Sequence, residues 1–236
     1  MGVRLEVCVD TAEGLAEAVA GGADRIELCA ALAVGGLTPS AGLIALAAKC
    51  GVPVVAMIRP RAGDFVWSEV EVAMMKAEIA VMRAAGLAGV VLGASLPDGW
   101  LDVPVLAHLV AAAKGMDLTL HRCIDLAPDL ERAVDAAVAL GFHRILTSGG
   151  ETTAEAGAAR IGALVGHAAG RISIMPGSGV GPGNAAMLKG LGIAEIHASC
   201  SASTPLRGRV VEMGFAPPVR RQTDAGAVRA LRAALE

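Results

Sequence analysis

Apolar and polar positions along this chain change rhythm at regular intervals. Short runs rich in Val, Ile and Leu, in which alternate residues share a face, give way to longer Ala/Leu-rich stretches with the period of a helix. The runs predict strands over residues 3–9, 25–29, 53–58, 89–92, 117–121, 144–147, 171–175 and 195–198. The stretches predict helices over 11–20, 40–48, 68–84, 103–113, 130–139, 155–168 and 184–189. Most of them end in a glycine suited to the position after a helix, namely Gly21, Gly51, Gly86, Gly141, Gly170 and Gly190. Thr11 and Ser40 are predicted N-caps.

Strand–helix units repeating about every 30 residues predict a (β/α)8 TIM barrel, for which about 250 residues is typical. A doubly wound open sheet is the alternative, but no G-x-G-x-x-G follows the first strand. One rhythm consumes the chain without a Pro/Ser linker. Residues 1–236 are therefore read as a single domain, with an irregular, Arg-rich segment over 204–222 and a closing helix over 223–235.

Composition narrows the function. With 54% hydrophobic and 18% charged residues, the chain suits a large core rather than disorder. A net charge of −3, three Phe, two Trp and no Tyr argue against a nucleic-acid surface. No apolar run approaches the roughly 20 residues of a membrane span, and the N-terminus enters a strand pattern directly, so a cytoplasmic protein is expected. Five scattered cysteines, an odd number, read as reduced thiols.

Polar residues on the apolar strands carry the candidate chemistry. Leu5-Glu6-Val7-Cys8 and Ile26-Glu27-Leu28-Cys29 each place a glutamate and a cysteine on one strand face. In a barrel, sites lie at the C-terminal ends of the strands. That end gathers Glu6, Cys8, Glu27, Cys29, Arg59, Arg61, His121, Arg122, Asp125, Thr147, Ser148, Gly177, Ser178, Gly179, His197 and Ser199, and the opposite strand ends look poorer in such groups.

In order along the chain, GADRIELC (22–29), GGLTPS (35–40), MIRPRAGDF (57–65), LHRCID (120–125), RILTSG (144–149) and PGSGV (176–180) make it resemble the CutC family of copper homeostasis proteins. Ala62 and Cys123 depart from the usual pattern. The resemblance covers nearly the whole chain. It implies a (β/α)8 barrel, a cytoplasmic homo-oligomer (dimer or tetramer) and a role in copper tolerance. Cu(I) is proposed to bind cysteines that match Cys8 and Cys29.

Beside the resemblance, each group has its own reading. Cys8 and Cys29 on adjacent strands about 4.8 Å apart offer thiolates for Cu(I); plain packing is the alternative. Arg59, Arg61 and Arg122 are predicted to pair with Glu6 and Glu27, either as an inert ionic layer or around a general acid/base. His121, followed by Arg122 and Asp125, is the candidate for proton transfer, with a hydrogen-bonded interior histidine as alternative. The Gly177–Gly179 loop, with Thr147, Ser148, His197 and Ser199, suits a small anion; a tight turn is its alternative. Arg207, Arg209, Arg220 and Arg221 read as a solvated or subunit-contact tail. Two functions follow: Cu(I) handling, or an enzyme acting on a small anionic or phosphorylated metabolite through Glu6, Glu27 and His121.

Overall fold

Most of the helices begin where a short polar side chain can take up a free backbone N–H. Thr11, Ser40, Ser68, Asp102, Asp129 and Asp224 accept such bonds, and Ser68 forms a reciprocal capping box with Glu71. A computed structural model describes residues 2–236. Its barrel strands are β1 (Arg4–Val9), β2 (Arg25–Leu28), β3 (Val54–Met57), β4 (Gly89–Leu92), β5 (Asp117–Leu120), β6 (Arg144–Thr147), β7 (Ser173–Pro176) and β8 (Glu195–Ala198). Between and after them run α1 (Ala12–Gly21), α2 (Ala41–Ala47), α3 (Glu69–Ala84), α4 (Val103–Ala112), α5 (Leu130–Leu140), α6 (Ala158–Ala168) and α7 (Pro182–Lys189). All barrel ladders are parallel, in the order β7-β6-β5-β4-β3-β2-β1-β8. The sheet is a nearly closed (β/α)8 barrel. Among the described residues, no ladder joins β7 to β8.

Strand parity divides the core. Leu5, Val7, Val9, Ile26, Leu28, Val90, Leu92 and Ile196 belong to the large apolar layer between strands and helices. Their neighbours of opposite parity turn inward, where Cys29, Val55, Met57 and Val91 form a small apolar cluster of their own. No helix is long and apolar enough to cross a membrane.

Three sequence expectations need correction. The left-handed residue after α1 is Gly22 (φ 91°), whereas Gly21 closes the helix, where an added Cβ would lie 2.5 Å from Val228. Gly190 stays right-handed (φ −61°), and Gly192 (φ 81°) makes the turn. The 204–222 segment is not irregular throughout. Strands β9 (Ser201–Pro205) and β10 (Val219–Thr223) pair as an antiparallel hairpin carrying a short helix α8 (Arg209–Glu212), and α9 (Ala225–Leu235) completes the ring of helices. Its polar, arginine-rich sequence hid the hairpin, because both strands are largely exposed and show little apolar alternation.

Candidate functional site

The register between β1 and its neighbours sets the site. Glu6 lies level with Arg25 on β2 and with His197 on β8, while Cys8 lies level with Glu27. Glu6 is fully buried, ion-paired to Arg25 and hydrogen-bonded to His197 Nδ1 at 2.8 Å. Burial opposes its charge, but the His197 hydrogen bond and the Arg25 guanidinium hold its pKa at about 2. An ionised carboxylate only accepts, so His197 Nδ1 carries the proton and Nε2 is left to face Glu27 Oε2, 3.8 Å away. Burial disfavours the imidazolium, yet Cys8, Glu27 and Glu6 around it raise its pKa well above the usual histidine range.

Glu27 differs from Glu6. Burial pushes its pKa up, and its Oε1 has no hydrogen-bond partner among the described residues. Cys29 Sγ lies 3.5 Å from Glu27 Oε2, and burial, reinforced by that carboxylate, raises the Cys29 pKa well above the usual thiol range. Donor atoms of Cys8, Glu27 and His197 lie within 4.8 Å of one another. The strand stagger thus gives Cys8 a carboxylate and an imidazole as immediate company, rather than placing the two thiols side by side.

The arginines expected around Glu6 and Glu27 are engaged elsewhere. Arg59 donates to the carbonyls of Val34 (2.8 Å), Gly36 (3.1 Å) and Gly63 (2.9 Å), clamping the loops after β2 and β3. Arg61 turns outward to Asp64 and Glu71 and lies over Trp67. Arg122 pairs with Asp125 at 2.8 Å and donates to Ser148 Oγ at 2.6 Å. Asp125 also accepts from Thr147 Oγ1 and from the N–H groups of Ser148 and Gly150, a knot that fixes the loop after β6.

The opposite strand ends are not poor in polar groups, contrary to the sequence reading. Arg25 Nη1 reaches Glu195 at 2.6 Å; Arg144 reaches Glu195 at 3.2 Å, Asp117 at 2.8 Å and Thr119 at 3.0 Å. Sequence reasoning missed Arg25, Arg144 and Glu195. Arg25 was within reach of it, since a residue two before Glu27 shares its strand face.

Above the cluster a cavity of about 610 Å³ opens at the strand C-terminal ends. Its walls include Cys8, Glu27, Arg59, His121, Arg122, His197, Ser178, Gly179, Ser199 and Arg221. Glu6, Cys29, Arg61, Asp125, Thr147, Ser148 and Gly177 lie behind or beside these walls. Gly177 packs so closely that an added Cβ would lie 2.5 Å from Leu146. At the α7 N-terminus one backbone donor is already taken, because Asn184 Oδ1 accepts from the Gly181 N–H, three residues ahead of it.

His121 is buried, and its Nδ1 accepts from Cys123 N–H at 3.2 Å. Burial, reinforced by Arg59, lowers its pKa to about 3, so it is a neutral ring at physiological pH. Gly93 makes room for it: a Cβ there would lie 2.4 Å from both His121 Cε1 and Cys123 Sγ. Gly93→Ala is expected to displace the ring and cost about 1–3 kcal/mol. Thermal unfolding and the His121 ring resonances check this; unchanged values would contradict the close packing.

Parallel strands, surrounding helices and polar side chains gathered at the strand C-terminal mouth define a (β/α)8-barrel protein with its candidate chemistry at the usual end of that fold. Thiamine phosphate pyrophosphorylase of Pyrococcus furiosus shares this fold at a TM-score of 0.61 and 16% identity, covering 99% of this chain and 95% of that one. The chain belongs to the CutC family, whose family model matches residues 3–202. A CutC family protein of Sinorhizobium medicae is 57% identical over 99% of this chain and 96% of its own length. One from Caulobacter vibrioides is 50% identical over 98% of each. The crystal structure of a Streptococcus agalactiae CutC protein, named for copper homeostasis, matches with a TM-score of 0.80 and 33% identity, covering 84% of this chain and 98% of that one.

Proposed function

We propose that this chain takes part in copper homeostasis and holds Cu(I) at the barrel mouth, on Cys8 Sγ and on His197 Nε2, which gives up its proton as the ion binds. The observation that carries the reading is the convergence of Cys8, His197 and Glu27 within 4.8 Å. A soft thiolate with an imidazole suits Cu(I), whereas the Glu27 carboxylate is a hard ligand and suits it poorly. Glu6 holds the His197 ring by Nδ1, the carboxylate–histidine arrangement that orients metal-binding imidazoles. Cys29 is the additional thiol, joining when it gives up its proton. Family membership and the name of the Streptococcus agalactiae relative support the copper role. Anaerobic titration of the reduced protein against a Cu(I) chelator is expected to give one tightly bound ion per chain; absence of competition with the chelator would overturn the reading.

The cavity favours a second reading. A space of about 610 Å³ is larger than one ion needs and falls in the range of small-molecule sites. In this reading the protein is an enzyme acting on a small anionic metabolite, with Glu27 as the proton acceptor at the wall, Glu6 orienting His197, and neutral His121 as a hydrogen-bond donor. Turnover unaffected by Glu27→Gln would contradict it. Free thiols at all five cysteines fit a reducing, cytoplasmic setting. Exposed Val210, Met213 and Phe215 on the hairpin support self-association, which sedimentation would test.

A further inference from the structure

The cavity holds more positive charge than its own carboxylates offset. Glu27 faces His197, and Asp125 takes up Arg122 at 2.8 Å. Arg59 and Arg221 are left over. Arg59 is only 5% exposed, yet its guanidinium donates to backbone carbonyls alone, its Nε has no partner, and no carboxylate pairs with it among the described residues. A buried charge without a counter-charge is costly, and Arg61 adds a like charge nearby. Arg221 stands on β10 opposite Ser203, exposed and without an ion-pair partner among the described residues. Although far along the sequence, it lines the same cavity as Arg59, Ser178 and Ser199. The family model ends at residue 202, so β10 brings Arg221 to the mouth from beyond the matched region.

We propose that Arg59 and Arg221 together bind the phosphate of a small phosphate monoester, with the Ser199 hydroxyl beside it, and that the β9–β10 hairpin supplies the selecting residue. Two uncompensated guanidiniums match a dianionic phosphate better than a monocarboxylate. The inference rests on the second reading above, that the cavity admits a small anion, and is independent of copper.

Glycerol 3-phosphate, with glycerol as its uncharged counterpart, tests it by isothermal titration. The wild-type protein is expected to bind the phosphate ester and not glycerol. Arg221→Gln, an exposed change that spares the core, is expected to weaken binding about tenfold. Arg220→Gln removes the same charge from the adjoining position on β10, whose side chain points to the other face of the hairpin. It is expected to leave binding unchanged, and Arg221→Gln to leave Cu(I) affinity unchanged. Equal binding by wild type and Arg221→Gln would sink the role of Arg221 while sparing the small-anion reading. An equal loss in Arg220→Gln would reduce the effect to general surface charge and overturn the proposal. No binding of glycerol 3-phosphate or inorganic phosphate to the wild type would overturn this inference, while the wider small-anion reading, which also admits carboxylates, and the copper reading would both stand.

Discussion

Replacing Cys8 with serine is expected to lower Cu(I) affinity by about 100-fold or more, because a hydroxyl is a poor ligand for a soft ion. Cys8 lines the cavity, and its Sγ belongs to the donor cluster with His197 and Glu27. Cys29 is fully buried beside Glu27, where burial and that carboxylate favour its protonated form. Cys29→Ser should therefore weaken binding less than Cys8→Ser. Removing the His197 imidazole should fall between the two. Glu6→Gln tests the orientation of that ring: it keeps an oxygen acceptor for Nδ1–H but loses the charge, and should reduce affinity about 10–100-fold. Chelator competition on the four variants gives the order directly. Equal affinity in wild type and Cys8→Ser would remove the thiolate site, and a larger loss in Cys29→Ser would move its centre to β2.

The second large effect concerns stability. Arg25 bridges Glu6 and Glu195, all three buried. Arg25→Met would leave Glu6 with only His197 and Glu195 with Arg144 and the more exposed Arg4, and is expected to cost about 3–5 kcal/mol. The pH dependence has a definite sign. The Glu6 pKa of about 2 in the folded protein lies below its ordinary value of 4.5. Its stabilisation is therefore fully present above about pH 4.5 and lost as pH falls toward 2, a span worth on the order of 3 kcal/mol. Glu195, drawn down by Arg25 and Arg144 against its burial, acts in the same direction. Glu27 works oppositely: burial raises its pKa, so its ionisation destabilises the fold as pH rises through the folded value. Urea unfolding at pH 3 and pH 6 should show a steep acid loss in the wild type and a shallower one in Arg25→Met. Parallel losses would mean that the cluster does not govern acid stability.

The repeating βα order was legible because apolar parity recurs along the chain and glycines punctuate most of its units, and period two placed Glu6 with Cys8, and Glu27 with Cys29, on a shared strand face; which of the two faces looks into the barrel was not legible. Partner choice was not legible in the same way. Which residue of β2 stands beside Cys8 depends on strand stagger, and a shift of register leaves sequence spacing unchanged. That stagger sets Cys8 against Glu27 and brings Glu6 to Arg25 and His197, 191 positions away along the chain in the last case. Arg144 and Glu195, 51 residues apart, meet through closure of the barrel alone. Arg221 sat in an arginine-rich stretch whose local composition suggested a solvated tail, and only the pairing of β10 with β9 carries it to the cavity.

With no ladder joining β7 to β8 among the described residues, that seam is expected to be where the barrel opens most readily. Amides facing that gap should exchange with solvent faster than those inside the continuous β2–β1–β8 ladders. Cys8 and Glu27 stand on strands laddered on both sides, whereas His197 stands on β8, which is laddered to β1 alone and borders the gap. The cavity wall straddles it: Ser178 and Gly179 follow β7, whereas Ser199 follows β8. A ligand touching both walls would act as a rung across the gap and is expected to slow exchange along it.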